Sequence, residues 1–460
     1  MSAALLTLLY MLVLFDGGHQ LFRDSDSGWH IRTGERILST HTLPRTDSYS
    51  FGKPGGEWVA WEWAADAAMG AMHGMGGLGA VAWMYMAAIA LCTWLWFQLQ
   101  WQLETNFLIA CALGSPMLST ANIHWLARPH VLGWVLLLTA LLWLERDAAR
   151  GRARVWWLWA AMGAVWANVH ASFFLLPFLA ALFVGRLGWR PAVASALGTF
   201  LNPYGWGLHA HVARYLTDAG LLRLIGEFQS FNFHSEGAAQ IALAVLVSAA
   251  GAGLLAARGE WRRAAITLLF CAIAIRSARG LPLLALASLP YAGRALSRLP
   301  WPDGFAEYGA NLRAIDRRFA GWLCGGVALA ATLALMCSPW MQRHVGFPEA
   351  EFPVRASAYI AQLPAGARLF APDKFGGYLI YRFDGARPVF FDGRSDYYGA
   401  AFMKDYIAMA QVRPGWKTVW RRFGFTHAVM PPDYSLNSVL GELGWGESYR
   451  DETVVIWAQP

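Results

Sequence analysis

Charge is what this sequence lacks. Asp, Glu, Lys and Arg make up 15% of its 460 residues, where a soluble domain carries roughly 25%. With 56% hydrophobic residues and a mean hydropathy of +0.34, that deficit excludes an ordinary soluble chain and makes lipid the main solvent. Cysteine is scarce as well. Cys92, Cys111, Cys271, Cys324 and Cys337 all sit in or at the ends of apolar segments. None has metal-ligand spacing and none lies in a polar region that a disulfide framework would staple, so all five are expected to be buried and chemically silent. No Gly-rich nucleotide-binding loop stands at a strand–helix junction. The first residues lack a basic n-region and a clear small-residue cleavage site, so the opening apolar run is expected to be a retained helix rather than a removed signal. The formal charge of +7 is spread over short loops rather than gathered on one face, which leaves no nucleic-acid surface.

What is present is apolar and aromatic. Twenty-five Trp suit a chain with much of its surface at headgroup depth, where indole rings settle. A bilayer core about 30 Å thick takes about 20 apolar residues per helix, and about eleven stretches come near that length. They lie near 2–15, 78–98, 106–121, 130–144, 155–169, 172–184, 191–204, 239–257, 264–276, 281–291 and 319–340. The polar insertion from Asn168 to Ser172 is read as the turn of a hairpin, because it would be costly at mid-membrane. With the N-terminus placed inside, the basic loops at 145–154, 185–190, 257–263 and 293–319 fall on one side, as the positive-inside rule requires.

The expected fold is therefore a polytopic α-helical membrane protein over residues 1–344, in the cytoplasmic membrane, with outer loops at 16–77 and 205–240. Residues 345–460 have balanced charge and read as a small α/β domain outside that membrane. Strand-like runs are expected at 367–372, 376–383, 387–393, 426–432 and 453–459, with helices near 399–409 and 416–423. After the third run, Asp392 and Arg394 are either plain turn residues or side chains presented by that turn.

Ionisable groups beside membrane segments are expensive and therefore informative. In this topology they collect at one level, the outer ends of the spans: Asp24 and Asp26, then His124, Arg128 and His130, then Asn168 and His170. Asn202, Glu227, Arg276 and Arg279 join them. Any one of the three arginines is explained as a snorkelling surface residue. Together, beside histidines and asparagines, they argue for one polar cavity opening outward. Guanidinium forks match phosphate oxygens, so the cavity suits a phosphate or pyrophosphate.

Asp24 and Asp26 flank one Ser, so an extended segment would turn both carboxylates to one side. Asp26 or Ser27 is then expected to cap a helix over about 28–38, with His30 and Gly34 neighbours on it. A hairpin turning at Lys53-Pro54-Gly55-Gly56 follows, and Glu62 opens the next helix. The plain reading makes Asp26 an N-cap and Asp24 a solvated acid. The chemical reading makes a carboxylate a general base, or makes the pair hold a divalent cation such as Mg or Mn.

This layout resembles the GT-C-type membrane glycosyltransferases, which include oligosaccharyltransferase, protein mannosyltransferases and the lipid A aminoarabinose transferase. The matching segments for a bacterial group within them are DSDSGWHIRTGERI, LPRTDSYSF, WVAWEWAAD, ARPHV, WANVHASF, LNPYGW, EFQSFNF, SARGLPLL, FGGYLIYRFDG and FFDGRSDYYG. The resemblance implies transfer of a sugar from a polyprenyl-phosphate-linked donor on the outer membrane face. It places the catalytic acid on Asp24 or Asp26, and a second acid of the first outer loop on Asp47 or Glu62. The expected reaction is an inverting displacement with Asp26 as general base and Arg128 with Arg276 or Arg279 on the leaving phosphate. His30, Glu62, His124, Asn168, His170, Asn202 and Glu227 are the expected substrate contacts. Two other readings keep fewer of these features: a transporter or binder of lipid-linked glycans, against which no inverted repeat is visible, and a scaffold, which needs no buried arginines.

Overall fold

The computed structural model describes residues 1–322, 324–336, 338 and 344–460. Part of the expected last span and Cys337 lie outside the described residues; a helix occupies Gly325–Met336. Among the described residues, three helices are long and apolar enough to cross a membrane: Trp63–Gln102, Phe107–His124 and Ala238–Ala257. The first is two helices end to end, because Gly76 and Gly77 leave helical geometry and Gly77 takes a φ of 61°. A side chain resists that conformation, so glycine sets the break. The apolar span thus begins at Leu78, and the preceding turns belong to the first outer loop.

Other expected spans are short or broken. The first is a helix over Ser2–Val13. The stretch 172–184 is a 3-10 turn, Ala171–Phe174, followed by Leu175–Ala181, and 191–204 is helical only over Arg190–Gly198. The chain does turn at His170, which is extended at φ −160° and ψ 144°. The expected hairpin is not a simple pair, however: Arg190–Gly198 packs against both Trp156–Val169 and Leu175–Ala181. Cys92 and Cys271 are buried, but Cys111 and Cys324 are exposed. Membership of an apolar run does not fix which face a residue takes.

In the C-terminal region four strands, β1 (Leu369–Phe370), β2 (His427–Met430), β3 (Gly446–Arg450) and β4 (Val455–Ala458), form a sheet of order β1-β2-β4-β3. β1 pairs parallel with β2, and the other pairs are antiparallel. The expected helices appear at Ser395–Ala410 and Trp416–Phe423. Two expected strands do not. Residues 376–383 belong to the helix Asp373–Arg382, which buries Phe375, Tyr378 and Leu379, the spacing of one helical face. Residues 387–393 make one bridge, Val389 to Ser50 of the first outer loop.

That outer loop lies between the helical bundle and the C-terminal region. Its helix is Asp26–Thr40, with Ser25 rather than Asp26 or Ser27 at the N-cap. The preceding residues form a turn, not an extended strand, and Asp24 Oδ1 accepts the Asp26 N–H at 2.8 Å. One face of this helix meets the Trp63–Gln102 helix where Gly34 and Gly70 remove side chains, since a Cβ on either would overlap the other backbone. Its other side meets the Asp373–Arg382 helix through Gly28 and Gly377 in the same way. The expected hairpin is present as a bridge between Thr46 and Glu57, with Asp47 N–H on the Gly56 carbonyl at 2.9 Å. Asp26 is thus set by backbone-to-backbone packing on two sides.

Candidate functional site

A cavity of about 830 Å³ opens between one end of the helices, the segments 16–77 and 205–240, and the C-terminal region. Its charged lining begins with Arg128, in the turn before the His130–Arg150 helix. Arg128 Nη1 donates to Asp24 Oδ2 at 2.7 Å, and Nη2 lies 2.8 Å from Asp26 Oδ2. Arg128 and Asp26 line the cavity, while Asp24 does not and holds the guanidinium from behind. Burial pushes the Asp26 carboxyl up to about 7, with the neighbouring Asp24 adding to the rise and Arg128 opposing it. Asp26 is packed against the backbone of Gly393, where a Cβ would collide with its Oδ1.

A second acid faces the same space. Glu62 is the N-cap of the Trp63–Gln102 helix and lines the cavity. Burial pushes it up to about 8. Its Oε1 lies 3.4 Å from His170 Nε2. The His170 Nδ1 accepts the Ser172 backbone N–H at 3.2 Å, so Nε2 carries the proton and points at Glu62. Burial and the nearby arginines depress His170 to about 3, keeping it neutral. Asp47, the alternative second acid, does not line the cavity. It accepts the Ser50 N–H at 2.8 Å and lies 2.8 Å from Arg394 Nη2.

The rim is cationic. Arg279 donates to Glu227 Oε2 at 2.5 Å, and Glu227 also faces His124 and Arg128 at 3.9 Å. These arginines hold the Glu227 carboxyl below its ordinary value despite its burial. Arg276 ends the Trp261–Arg276 helix, is exposed and lines the cavity. Among the described residues it makes no ion pair.

Besides Asp24, three expected substrate contacts lie off the cavity lining. Asn168 accepts from Trp63 Nε1 at 2.7 Å and donates to the Ala164 and Leu201 carbonyls at 2.7 and 2.9 Å; it is a helix-end clamp. Asn202 donates to the Thr199 and Gly205 carbonyls and accepts the Tyr204 N–H at 2.8 Å, which is turn chemistry. His30 is wholly buried behind Glu62, its Nδ1 2.6 Å from Asp66 Oδ1. A polar residue at the outer end of a span serves a turn as readily as a ligand, and depth alone does not separate the two.

Sequence reasoning left Arg394 open between a plain turn residue and a presented side chain, and missed Ser395 and Asp396. Arg394, Ser395 and Asp396 reach the cavity from the C-terminal region. Arg394 is buried in a bidentate pair with Asp392, at 2.8 and 2.7 Å, and sits 4.7 Å over the Trp58 ring. The turn therefore presents Arg394 to the cavity while Asp392 stays behind it. Asp396 Oδ2 lies 3.1 Å from His211 Nε2, and Tyr215 pairs with Ser395 at 3.1 Å. His211 and Tyr215 stand four apart on the helix Trp206–Thr217, a spacing visible in the sequence that only the fold joins to Asp396.

The Asp24–Asp26 pair does not fit the divalent cation expected between them. The Arg128 guanidinium already bridges both carboxylates, and Mg or Mn would meet that fixed positive charge at contact distance. No group of three or more His, Cys, Asp or Glu placed to hold a metal ion occurs among the described residues.

No protein-family model matches the chain, and no curated protein matches it by sequence. Solved structures do match by shape. The archaeal oligosaccharyltransferase AglB of Archaeoglobus fulgidus, in complex with an inhibitory peptide and a dolichol-phosphate, superposes with a TM-score of 0.62 at 11% identity, over 94% of this chain and 69% of that one. The same organism's oligosaccharyltransferase tethered to an acceptor peptide gives 0.60 at 10% identity, over 93% and 68%. Its apo form gives 0.55 at 12% identity, over 93% and 68%. At such identity the likeness shows the fold alone: this chain has the fold of those oligosaccharyltransferase structures.

Proposed function

We propose that a chain with this fold is a membrane glycosyltransferase that moves a sugar from a polyprenyl-phosphate-linked donor to an acceptor at the outer face of the cytoplasmic membrane. The observation that carries this reading is the juxtaposition of Arg128 and Asp26 at 2.8 Å on the wall of one cavity. A base and the cations for a leaving phosphate thus share one enclosed space. Fold likeness alone does not assign an activity. The dolichol-phosphate bound by the AglB complex supports a lipid phosphate as the class of ligand.

In this reading the chain crosses the membrane about eleven times with its N-terminus inside. The donor phosphate lies at the cationic rim, where Arg276 is free to pair with it and Arg279 stands beside it. The polyprenyl chain runs over the apolar wall formed by Leu222, Ile273 and Leu283. An acceptor hydroxyl attacks the anomeric carbon from the face opposite the phosphate as Asp26 takes its proton. The new bond is to the acceptor oxygen, the broken one joins sugar to phosphate, and the configuration inverts. Arg128 and the rim arginines stabilise charge growing on the leaving phosphate, the contribution expected of preorganised cations in a water-poor site.

Incubating the purified protein with a panel of polyprenyl-phosphate sugars, and measuring the lipid phosphate released, tests this. Release with at least one donor is expected. Binding of those lipids with no release by active-conformation protein would favour the transport or binding reading.

A further inference from the structure

On the cavity wall and just behind it lies a set of titratable side chains that the proposed mechanism leaves unused. His30 and Asp66 are both buried, 0% and 1% exposed. His30 Nδ1 is 2.6 Å from Asp66 Oδ1, a charge-assisted length. The other ring nitrogen, Nε2, is buried without a hydrogen-bond partner and lies 3.9 Å from Glu62 Oε2. A buried unpaired ring nitrogen is rare and asks for an explanation. Glu62 therefore stands between two imidazoles, one on each oxygen, and both Glu62 and Asp66 line the cavity while His30 does not. A shift of about 1 Å in its carboxyl brings Nε2 within hydrogen-bond length.

We infer that Asp66, His30 and Glu62 form a proton relay that passes one proton between two cavity-lining carboxyls through the buried imidazole, making Glu62 a proton acceptor additional to Asp26. This rests on the transferase reading above. The relay has two forms that carry the same total charge of −1. In one, Glu62 holds a proton, Asp66 is ionised, and the His30 Nδ1–H donates to Asp66. In the other, the proton of Glu62 has passed to Nε2 as the Nδ1 proton passed to Asp66. Glu62 is then an anion facing the cavity, Asp66 is neutral, and the ring remains neutral throughout. Burial holds His30 well below its ordinary value, with Arg128, His130, His170 and Arg394 adding to the effect, so the imidazole conducts rather than stores the proton.

The second form lets Glu62 accept a proton released into the cavity during transfer, directly or from Asp26. The charged groups that face Glu62 are Arg128 and Arg279, which favour its anion, and Asp396 and Asp26, which oppose it. His170 donates to its other oxygen. None of these connects to Asp66, so the exchange across His30 is the step specific to this relay.

The test uses purified full-length protein in lipid nanodiscs without substrate, so the outcome does not depend on the transferase reading. Infrared titration follows the Glu62 carboxyl, identified by its loss in Glu62→Gln. Asp66→Asn removes the carboxyl that takes the Nδ1 proton, and with it a neighbouring negative charge, so the Glu62 midpoint should fall by about one pH unit. His30→Gln removes the path and should raise the midpoint. Shifts of the same sign, or none, overturn the relay. Nitrogen-15 imidazole spectra of the unaltered protein give a second readout that needs no variant to fold. Both His30 tautomers, Nδ1–H and Nε2–H, should be populated at a pH where the set carries its single negative charge, and one tautomer alone contradicts the proposal.

Discussion

Arg128 is gripped by two carboxylates at once, 2.7 Å from Asp24 and 2.8 Å from Asp26. It is the residue on which the electrostatics of the cavity turns. Removing one partner of a buried ion pair leaves the other charge uncompensated. Arg128→Ala should therefore destabilise the protein by ~3–5 kcal/mol, read as a fall in thermal midpoint in detergent. Arg276→Ala is the contrast. Arg276 is exposed and unpaired among the described residues, so stability should stay within about 0.5 kcal/mol while KM for a lipid-phosphate donor rises.

The same guanidinium supplies the positive charge that a divalent cation would otherwise bring to the acid pair. Turnover of the purified protein should persist after dialysis against a chelator. Loss of activity restored by Mg or Mn would show that the Arg128 bridge opens in the working state.

Gly393 is the point at which the C-terminal region touches the acid. A Cβ there overlaps Asp26 Oδ1. Gly393→Ala should cost about 1–3 kcal/mol of overpacking and lower kcat at least tenfold by displacing Asp26. The melting transition and the kinetics of that one variant check both.

Asp26 gives opposite pH signatures in catalysis and stability. As a base it acts only when ionised, so kcat should fall as pH drops through about 7, where burial places its titration. Stability runs the other way. An unfolded Asp loses its proton near about 3.9, while the folded protein keeps it up to about 7. Between those values the folded state binds more protons, so the contribution of Asp26 to stability declines as pH rises through the window. The rate profile and chemical denaturation at several pH values check the two signs.

Much of the site was legible in the sequence because lipid makes polar residues conspicuous. Arg128, Glu227 and Arg279 are costly at the depth at which the apolar runs place them, and all line the cavity. The step to the apolar span at Leu78 was also readable, because the apolar run starts directly after Gly76 and Gly77, where the helix breaks. What failed had local causes. The run 376–383 is rich in residues that favour strands, but its glycines serve close helix packing against Ser25 and Asp392. Asn168 and Asn202 stand at the expected level yet satisfy backbone groups of their own turns. Arg394 was left undecided and Asp396 was hidden for the opposite reason. Their role exists only once residues more than 180 positions away, such as His211 at its partner Asp396, are folded against them.

The central claim is that Asp26 deprotonates the acceptor in a cavity that also binds the lipid phosphate. The direct measurement compares Asp26→Asn with the unaltered protein in the donor-panel assay, scoring phosphate release and donor binding together. The account predicts that release is abolished while binding and the melting transition are retained. Release by Asp26→Asn at the unaltered rate would contradict it.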